Sequence, residues 1–292
     1  MDFNDIKDAF NVQVNTTEKN RIRVYTLEAV VGNIASQLQR LGYSSISGTY
    51  ENLRAMLYGM IVVEKNGSYG VLATATREEI AGTKYKEVLF VQNAKEFLVT
   101  ADNSVGLISI DGSTIIKPTE YDEISVLDQI EGLYMVKKGK KYGVLNRRGE
   151  VVVYVENDAI GYKNAKNFKG IEKNTLFFNN IIPVQKGDVF GAYNTEGREV
   201  LPIRYDGFGY EVKSTDGRDE ESVLIIPESV GIKGIVINQD DLYGIFDAEG
   251  QRILIPVVNT KIYSVTKSGK TTYYMEYNGQ QLDIEQYVTE NR

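Results

Sequence analysis

One pattern recurs along this chain and limits what it can fold into: an apolar or aromatic residue followed by glycine, with a second glycine six residues after the first. It occurs at Val105-Gly106 with Gly112, Tyr142-Gly143 with Gly149, Phe190-Gly191 with Gly197, and Tyr243-Gly244 with Gly250. Each doublet follows a polar turn (ADNS, KKGKK, QKGD, NQDD), and the second glycine closes the next turn as DG, RRG, TEG or AEG. Such residues supply the positive φ that hairpin turns require. Residues 133–153 show the unit plainly: the apolar runs LYMV, YGVL and VVV are cut by KKGKK and NRRG, which reads as a three-stranded β-meander. A fixed period of supersecondary units predicts a tandem array, because one meander cannot bury its apolar faces alone.

A second string follows the third strand. Pro118, Tyr121, Asp122 and Ile124 stand in the same frame as Pro202, Tyr205, Asp206 and Phe208. Pro256, Asn259 and Ile262 keep the frame without the Tyr-Asp pair, and Gly82, Tyr85 and Val88 keep the tyrosine without the proline. The last match places a first repeat on Tyr69-Gly70. With these residues in view the chain resembles the Trp-Gly (WG) repeat proteins of bacteria, over about residues 61–258, with a degenerate sixth unit at 273–287. The resemblance implies a β-repeat fold and an interaction or structural role without defined chemistry. The departure is that the chain has no tryptophan, so Tyr, Phe or Val fills that position.

The expected fold is therefore mainly β. About five or six three-stranded meanders form a curved solenoid or propeller-like array over residues 61–292, behind a helical cap or docking segment over residues 1–60. In that segment Thr26 reads as the N-cap of a helix whose apolar stripe (Leu27, Val30, Val31, Ile34, Leu38, Leu41) ends at Gly42. Thr49 opens a second helix, with Leu53, Met56 and Leu57 on one side, that ends at Gly59. A helix-turn-helix reading is disfavoured, because the segment balances six basic against six acidic residues and its connection GYSSISG is long.

Most repeat positions read as scaffold. The aromatic before glycine packs inward while glycine admits close backbone approach. Asp111, Asn146, Asn194 and Asp247 suit Asx-turns. Tyr121 and Tyr205 wedge between units, and Asp122 and Asp206 satisfy loop backbone. Function is expected where the period breaks. Successive doublets are 36, 37, 48 and 53 residues apart, so the last two steps hold insertions, and insertions in repeat arrays gather on the binding face. The first carries Tyr162, Lys166, Phe168, Phe177 and Phe178, and the second carries Asp216, Asp219, Glu220 and Glu221; these are the candidate binding residues.

Composition narrows the chemistry. No histidine and no cysteine are present among the 292 residues, which removes Ser-His-Asp and Cys-His catalysis, thiolate metal sites and disulfides. No catalytic residue, cofactor or metal is expected. The second insertion's acids lack the alternation and tight glycine turn of a calcium loop. The turn of Lys137, Lys138, Lys140 and Lys141 reads as a solvated tip rather than an anion cradle. With 33 basic against 40 acidic residues the net charge is −7, which disfavours nucleic acid as a partner. No secretory leader or bilayer-length apolar run is seen, so a soluble cytoplasmic chain is expected. The leading function is a non-catalytic scaffold whose partner is another protein. The alternatives are a carbohydrate- or cell-surface-binding module, suited by 20 tyrosines, and a carboxylate-based enzyme such as a glycosidase.

Overall fold

The computed structural model describes residues 36–91, 95–128, 132–166, 172–212 and 219–291. Within these the chain is mainly β, folded into successive antiparallel sheets with short helical pieces. Sheet I holds β1 (Ser45–Ile46), β2 (Met60–Lys65), β3 (Ser68–Ala73) and β4 (Glu79–Tyr85). Sheet II holds β5 (Glu87–Val91), β6 (Glu96–Ala101), β7 (Ser104–Ser109) and β8 (Thr114–Tyr121). Sheet III holds β9 (Glu123–Asp128), β10 (Leu133–Lys138), β11 (Lys141–Asn146) and β12 (Val151–Asn157).

In sheet IV, β13 (Ala159–Ile160) is followed by a separate hairpin, β14 (Tyr162–Lys166) with β15 (Glu172–Thr175). The sheet then resumes with β16 (Ile181–Lys186), β17 (Val189–Asn194) and β18 (Glu199–Tyr205). Sheet V starts at β19 (Gly207–Phe208); β20 (Glu220–Glu221) and β21 (Ile225–Ile226) intervene before β22 (Gly234–Gln239), β23 (Leu242–Asp247) and β24 (Arg252–Asn259). Sheet VI is β25 (Lys261–Lys267), β26 (Lys270–Tyr277) and β27 (Gln280–Asp283), with β20 added along β25.

The expected three-stranded unit is thus corrected to four strands. The extra strand comes straight after the Tyr-Asp string and pairs with the sheet that follows. Sequence periodicity misses it because β13 and β19 are two residues long and no tight turn joins them to their partners.

Packing divides the chain into two compact units, 1–125 with 147–149, and 126–146 with 150–292. In the first, sheets I and II share a core of Val62, Val71, Tyr85, Phe90, Phe97 and Ile108. In the second, Val144, Val153, Ile182 and Val184 join sheet III to sheet IV, and Ala192, Leu201, Tyr205, Ile237 and Phe246 join sheet IV to sheet V. Val236, Tyr243, Ile245, Ile262 and Met275 then join sheet V to sheet VI. The third strands are buried on both faces at their centres, as stacking demands.

The doublet glycine has a geometric cause. Between third and fourth strands the register slips: Tyr142 opposes Asn157 while Val144 opposes Val153, so β12 carries extra residues there. This β-bulge recurs in sheets I, II, IV and V. It pushes the fourth strand's backbone under the third, and a Cβ on Gly143 would lie 2.6 Å from the Val153 carbonyl oxygen. The second glycine works at the next turn. Gly112 (φ +87°) and Gly197 (φ +83°) rest on the carbonyls of Ile80 and Val152 in the preceding sheets, where a Cβ would stand 2.6 and 2.8 Å away. The Asx readings hold: Asn146 Oδ1 accepts from the Glu150 amide at 3.0 Å, Asn194 from Arg198 at 2.8 Å, Asp247 from Glu249 at 3.1 Å and Asp111 from Ser113 at 2.9 Å.

Of the expected first helix, residues up to 35 lie outside those described; residues 36–40 are helical and Gly42 (φ +85°) follows them. Thr49 caps α1 (Tyr50–Arg54), accepting from the Asn52 amide, and a 3₁₀ turn (Ala55–Tyr58) ends at Gly59 (φ +78°). Two details differ. Leu57 is 42% exposed, because the change from α to 3₁₀ winding rotates it off the Leu53 side. The GYSSISG connection also contains β1, which pairs with β2. At the other end, where a degenerate unit was expected over 273–287, β26 and β27 run to Asp283 and a helix, α2 (Ile284–Glu290), follows. Asp283 caps it by accepting from the amides of Glu285 and Gln286, and Ile284 and Val288 bury one stripe.

Glu96, at the start of β6, is the sole acidic or basic residue in the buried set among the described residues, at 3% exposure, and its Oε2 has no hydrogen-bond partner. Burial pushes its pKa up from 4.5 to about 7, with the Arg147 guanidinium pulling weakly the other way. A folded-state pKa above the unfolded one means the native state holds the proton longer, so stability falls as pH rises from 4.5 towards 7.

Two outcomes are expected from urea unfolding. Gly143→Ala should lose about 3 kcal/mol or more, whereas Gly139→Ala, at a hairpin tip (φ +60°) with open space around it, should lose about 1 kcal/mol; equal losses would remove the bulge argument. Glu96→Gln should gain on the parent chain between about pH 5 and about pH 8, by on the order of 2 to 3 kcal/mol; parallel stability curves would show that Glu96 does not titrate as described.

Candidate functional site

Among the described residues, the irregular segments inside sheets I, IV and V lie in one loop of the repeat, the connection between a sheet's first and second strands. In sheets II and III that connection is short, from Val91 to Glu96 and from Asp128 to Leu133. In sheet I it carries α1, in sheet IV the β14–β15 hairpin, and in sheet V β20, β21 and a 3₁₀ turn (Glu228–Val230). A short connection leaves the register of neighbouring strands intact, so chain can be added there without disturbing the bulge or the docking turns.

The candidate binding residues fall in different settings. Phe168 and Asp216 lie outside the described residues. Lys166 pairs through its backbone with Glu172 in the hairpin. Tyr162 is half-buried with its ring 5.2 Å from Phe177. Phe177 is 3% exposed and meets Phe208 edge-on at 5.2 Å, so its ring is part of the core between sheets IV and V. Phe178 is half-buried at φ +50°, an uncommon conformation for a bulky residue, imposed by the turn into β16. Asp219 and Glu221 are exposed, and Glu220 meets Lys261 at 3.1 Å with its side chain 10% exposed. Tyr162, Phe177 and Phe178 pack at the junction of sheets IV and V, whereas Glu220 and Glu221 pair with β25 of sheet VI. The structure does not bring them into one site.

What the structure adds is a cleft of about 350 Å³ at the junction of sheets IV and V. Its walls are Phe190, Phe208 and Tyr162, with Pro183, Gln185 and Asp206 completing the lining. Phe190 and Phe208 stand edge-on at 5.9 Å. Asp206 is exposed, and its Oδ2 accepts the Asp240 amide at 2.6 Å, so it does satisfy loop backbone as expected. Phe190 reads in the sequence as a core aromatic, yet it is half-buried and lines open space. Tyr69, Val105 and Tyr142 are half-buried too, and of the five doublet residues only Tyr243 is buried. In the first unit a cleft of about 360 Å³ lies at the corresponding junction of sheets I and II, lined by Tyr69, Asn52, Lys86, Glu87 and Thr100. There Asn52 closes the edge of β5, donating to the Val88 carbonyl at 2.7 Å and accepting from the Phe90 amide at 2.8 Å.

Other groups are occupied structurally. In the lysine-rich turn, Lys141 reaches Asp158 at 2.6 Å and Lys137 lies over the Tyr142 ring at 5.8 Å. The Gly187 amide, and after it Lys141, hold the Asp158 carboxyl below its usual range. Burial, followed by Glu220, pushes the Tyr210 hydroxyl above its usual pKa. Among the described residues no group of three or more acids is placed to hold a metal ion, and no helix is long and apolar enough to cross a membrane.

A family model described as a WG containing repeat matches residues 106–142 and 190–212, which bears out the resemblance at those stretches. No curated protein matches the chain. Among solved structures, a eukaryotic initiation factor is 11% identical, covering 77% of this chain and 60% of its own, at a TM-score of 0.34. The AfRom2 CNH domain is 10% identical, covering 77% and 89%, at 0.23. Dihydro-heme d1 dehydrogenase NirN is 10% identical, covering 75% and 49%, at 0.29. Likeness at this level bears on neither fold nor function.

Proposed function

We propose that this chain, a carrier of the WG containing repeat, is a non-catalytic scaffold that binds another protein through the loops between first and second strands of its sheets. The observation that carries this reading is the cleft at Phe190: it opens beside the β14–β15 hairpin carried by that loop, and three aromatic rings line it. Aromatic rings in a concave setting are what protein interfaces use as anchors. The absence of histidine and cysteine supports a role without imidazole or thiolate chemistry. The finer fold reading, about five or six repeats in a curved solenoid or propeller-like array, is part of the same proposal. It is supported by the bulge recurring in five sheets and by the shared cores within each unit. A cytoplasmic location belongs to the proposal as well. A carbohydrate module is the second reading, favoured by Gln185 and Asp206 beside the aromatic walls.

Replacing residues 163–174 with a short Gly-Ser linker should reduce retention of a protein partner, captured by the immobilised full chain from native lysate, by about tenfold or more. The melting temperature should stay within about 2 °C of the parent chain, because the hairpin forms its own two-stranded sheet. Equal retention by both forms would sink the placement of the binding face. Glycan-array binding that is lost in a Phe190→Ala variant would favour the carbohydrate reading instead.

A further inference from the structure

We propose that the Phe190 cleft takes the aromatic side chain of a tyrosine or phenylalanine in a partner peptide, with a lysine or arginine beside it. The inference rests on the scaffold reading above and names the chemistry of its ligand. It comes from a comparison the chain makes with itself, since the two junctions of the second unit that carry an insertion, IV with V and V with VI, have opposite outcomes.

Register establishes the correspondence. The Gly161 amide donates to the Pro183 carbonyl and the Gly209 amide to the Val236 carbonyl, both at 2.8 Å, so Tyr162 and Tyr210 hold the same position after their first strands. Gln185 opposes Phe190 as Asn238 opposes Tyr243, which equates the two doublet aromatics. The Asp206 and Thr260 amides make the same bond, each at 2.9 Å, to Asn238 and Glu276, so Gly207-Phe208 corresponds to Lys261-Ile262.

At the junction of sheets V and VI the chain fills this space itself. Tyr210 is 7% exposed, its ring 5.0 Å from Tyr243 and edge-on at 84°, in a cluster with Val236 and Ile262. Glu220 enters beside it and meets Lys261. The occupant there is therefore an aromatic ring with a charged neighbour matched to the rim. At the junction of sheets IV and V, Tyr162 turns instead to Phe177, and the space over Phe190 is left as the cleft. At sheet I the Ser47 amide bonds Val62 in the same way, so Gly48 holds the tyrosine position, and without a side chain that cleft too is open. The junction is filled where the side chain at this position turns to the doublet aromatic and open where it turns away or is absent.

The rim of the open cleft sets the charge. Gly207 replaces Lys261, so among the described lining residues no cation stands at that point, while exposed Asp206 presents a carboxylate. A cationic neighbour on the incoming aromatic residue matches it. The volume, about 350 Å³, lies at the small end of ligand sites and suits one ring with its flanking backbone.

The test uses the full chain and isothermal titration with acetyl-Gly-Lys-Tyr-Gly-amide, its Ala-for-Tyr and Glu-for-Lys versions, and cellohexaose. The Lys-Tyr peptide should bind about fivefold or more tightly than the Ala version. Phe190→Leu, which keeps apolar volume and removes the ring, should weaken it about fivefold. Asp206→Asn, which keeps an acceptor for the Asp240 amide, should weaken it about twofold to threefold and erase the preference for Lys over Glu. Equal binding of the Tyr and Ala peptides, indifference to Phe190→Leu, or binding of cellohexaose alone would overturn the inference. The scaffold reading fails separately. A partner lost with residues 163–174 but held equally by Phe190→Leu leaves that reading standing and sinks this one; peptide binding at Phe190 with no hairpin-dependent partner does the reverse.

Discussion

The close approach of third and fourth strands at the doublet glycine is the contact on which the remaining architecture depends. Extra residues in the fourth strand have to go somewhere, and the bulge lifts their backbone to within 2.6 to 2.7 Å of where a Cβ would stand on Gly70, Gly106, Gly143, Gly191 and Gly244. Only glycine leaves that space empty. The bulge bends the fourth strand and increases its local twist. Where the sheet turns back, Gly112 and Gly197 can then lie against a carbonyl of the preceding sheet, so two backbone contacts hold both strand to strand and sheet to sheet. Side chains fill what remains, which is why tyrosine, phenylalanine or valine can each precede the glycine.

A frame built mainly from backbone contacts tolerates variation at the one loop that takes no part in them. The connection between first and second strands holds α1 in sheet I, a hairpin in sheet IV and the β20–β21 segment in sheet V. Each elaboration meets the first strand of the following sheet differently. Asn52 supplies hydrogen bonds to β5, Phe177 supplies a ring to Phe208, and Glu220 supplies a strand and an ion pair to β25. Structural closure and an open cleft are therefore alternatives at the same place, and they differ in where the side chain at the position of Tyr162 or Tyr210 turns.

Local signals were readable where the physics is local. Thr49 as an N-cap, Gly42 and Gly59 as helix ends, and the Asx turns at Asn146, Asn194 and Asp247 all depend on atoms within a few residues. The short strands β1, β13 and β19 were not readable, since two residues show no alternation and their partners lie beyond an irregular loop. Phe177 and Glu220 read as binding residues because they sit in insertions, and both proved to be packed. Phe190 read as core because every other doublet aromatic has the same local signature.

What the sequence by itself determined is the repeat: the doublet glycine encodes the bulge, since a Cβ there would meet the fourth strand's backbone at 2.6 to 2.7 Å, and the polar turns between apolar runs set the strands. What only the tertiary structure decided is where the array is open. Tyr162 and Tyr210 follow glycines in equivalent positions, and nothing local separates them. One turns to Phe177 and the other to Tyr243, because the chain returning from each insertion brings a different neighbour. That choice rests on contacts between residues distant along the chain, and it leaves Phe190 facing open space.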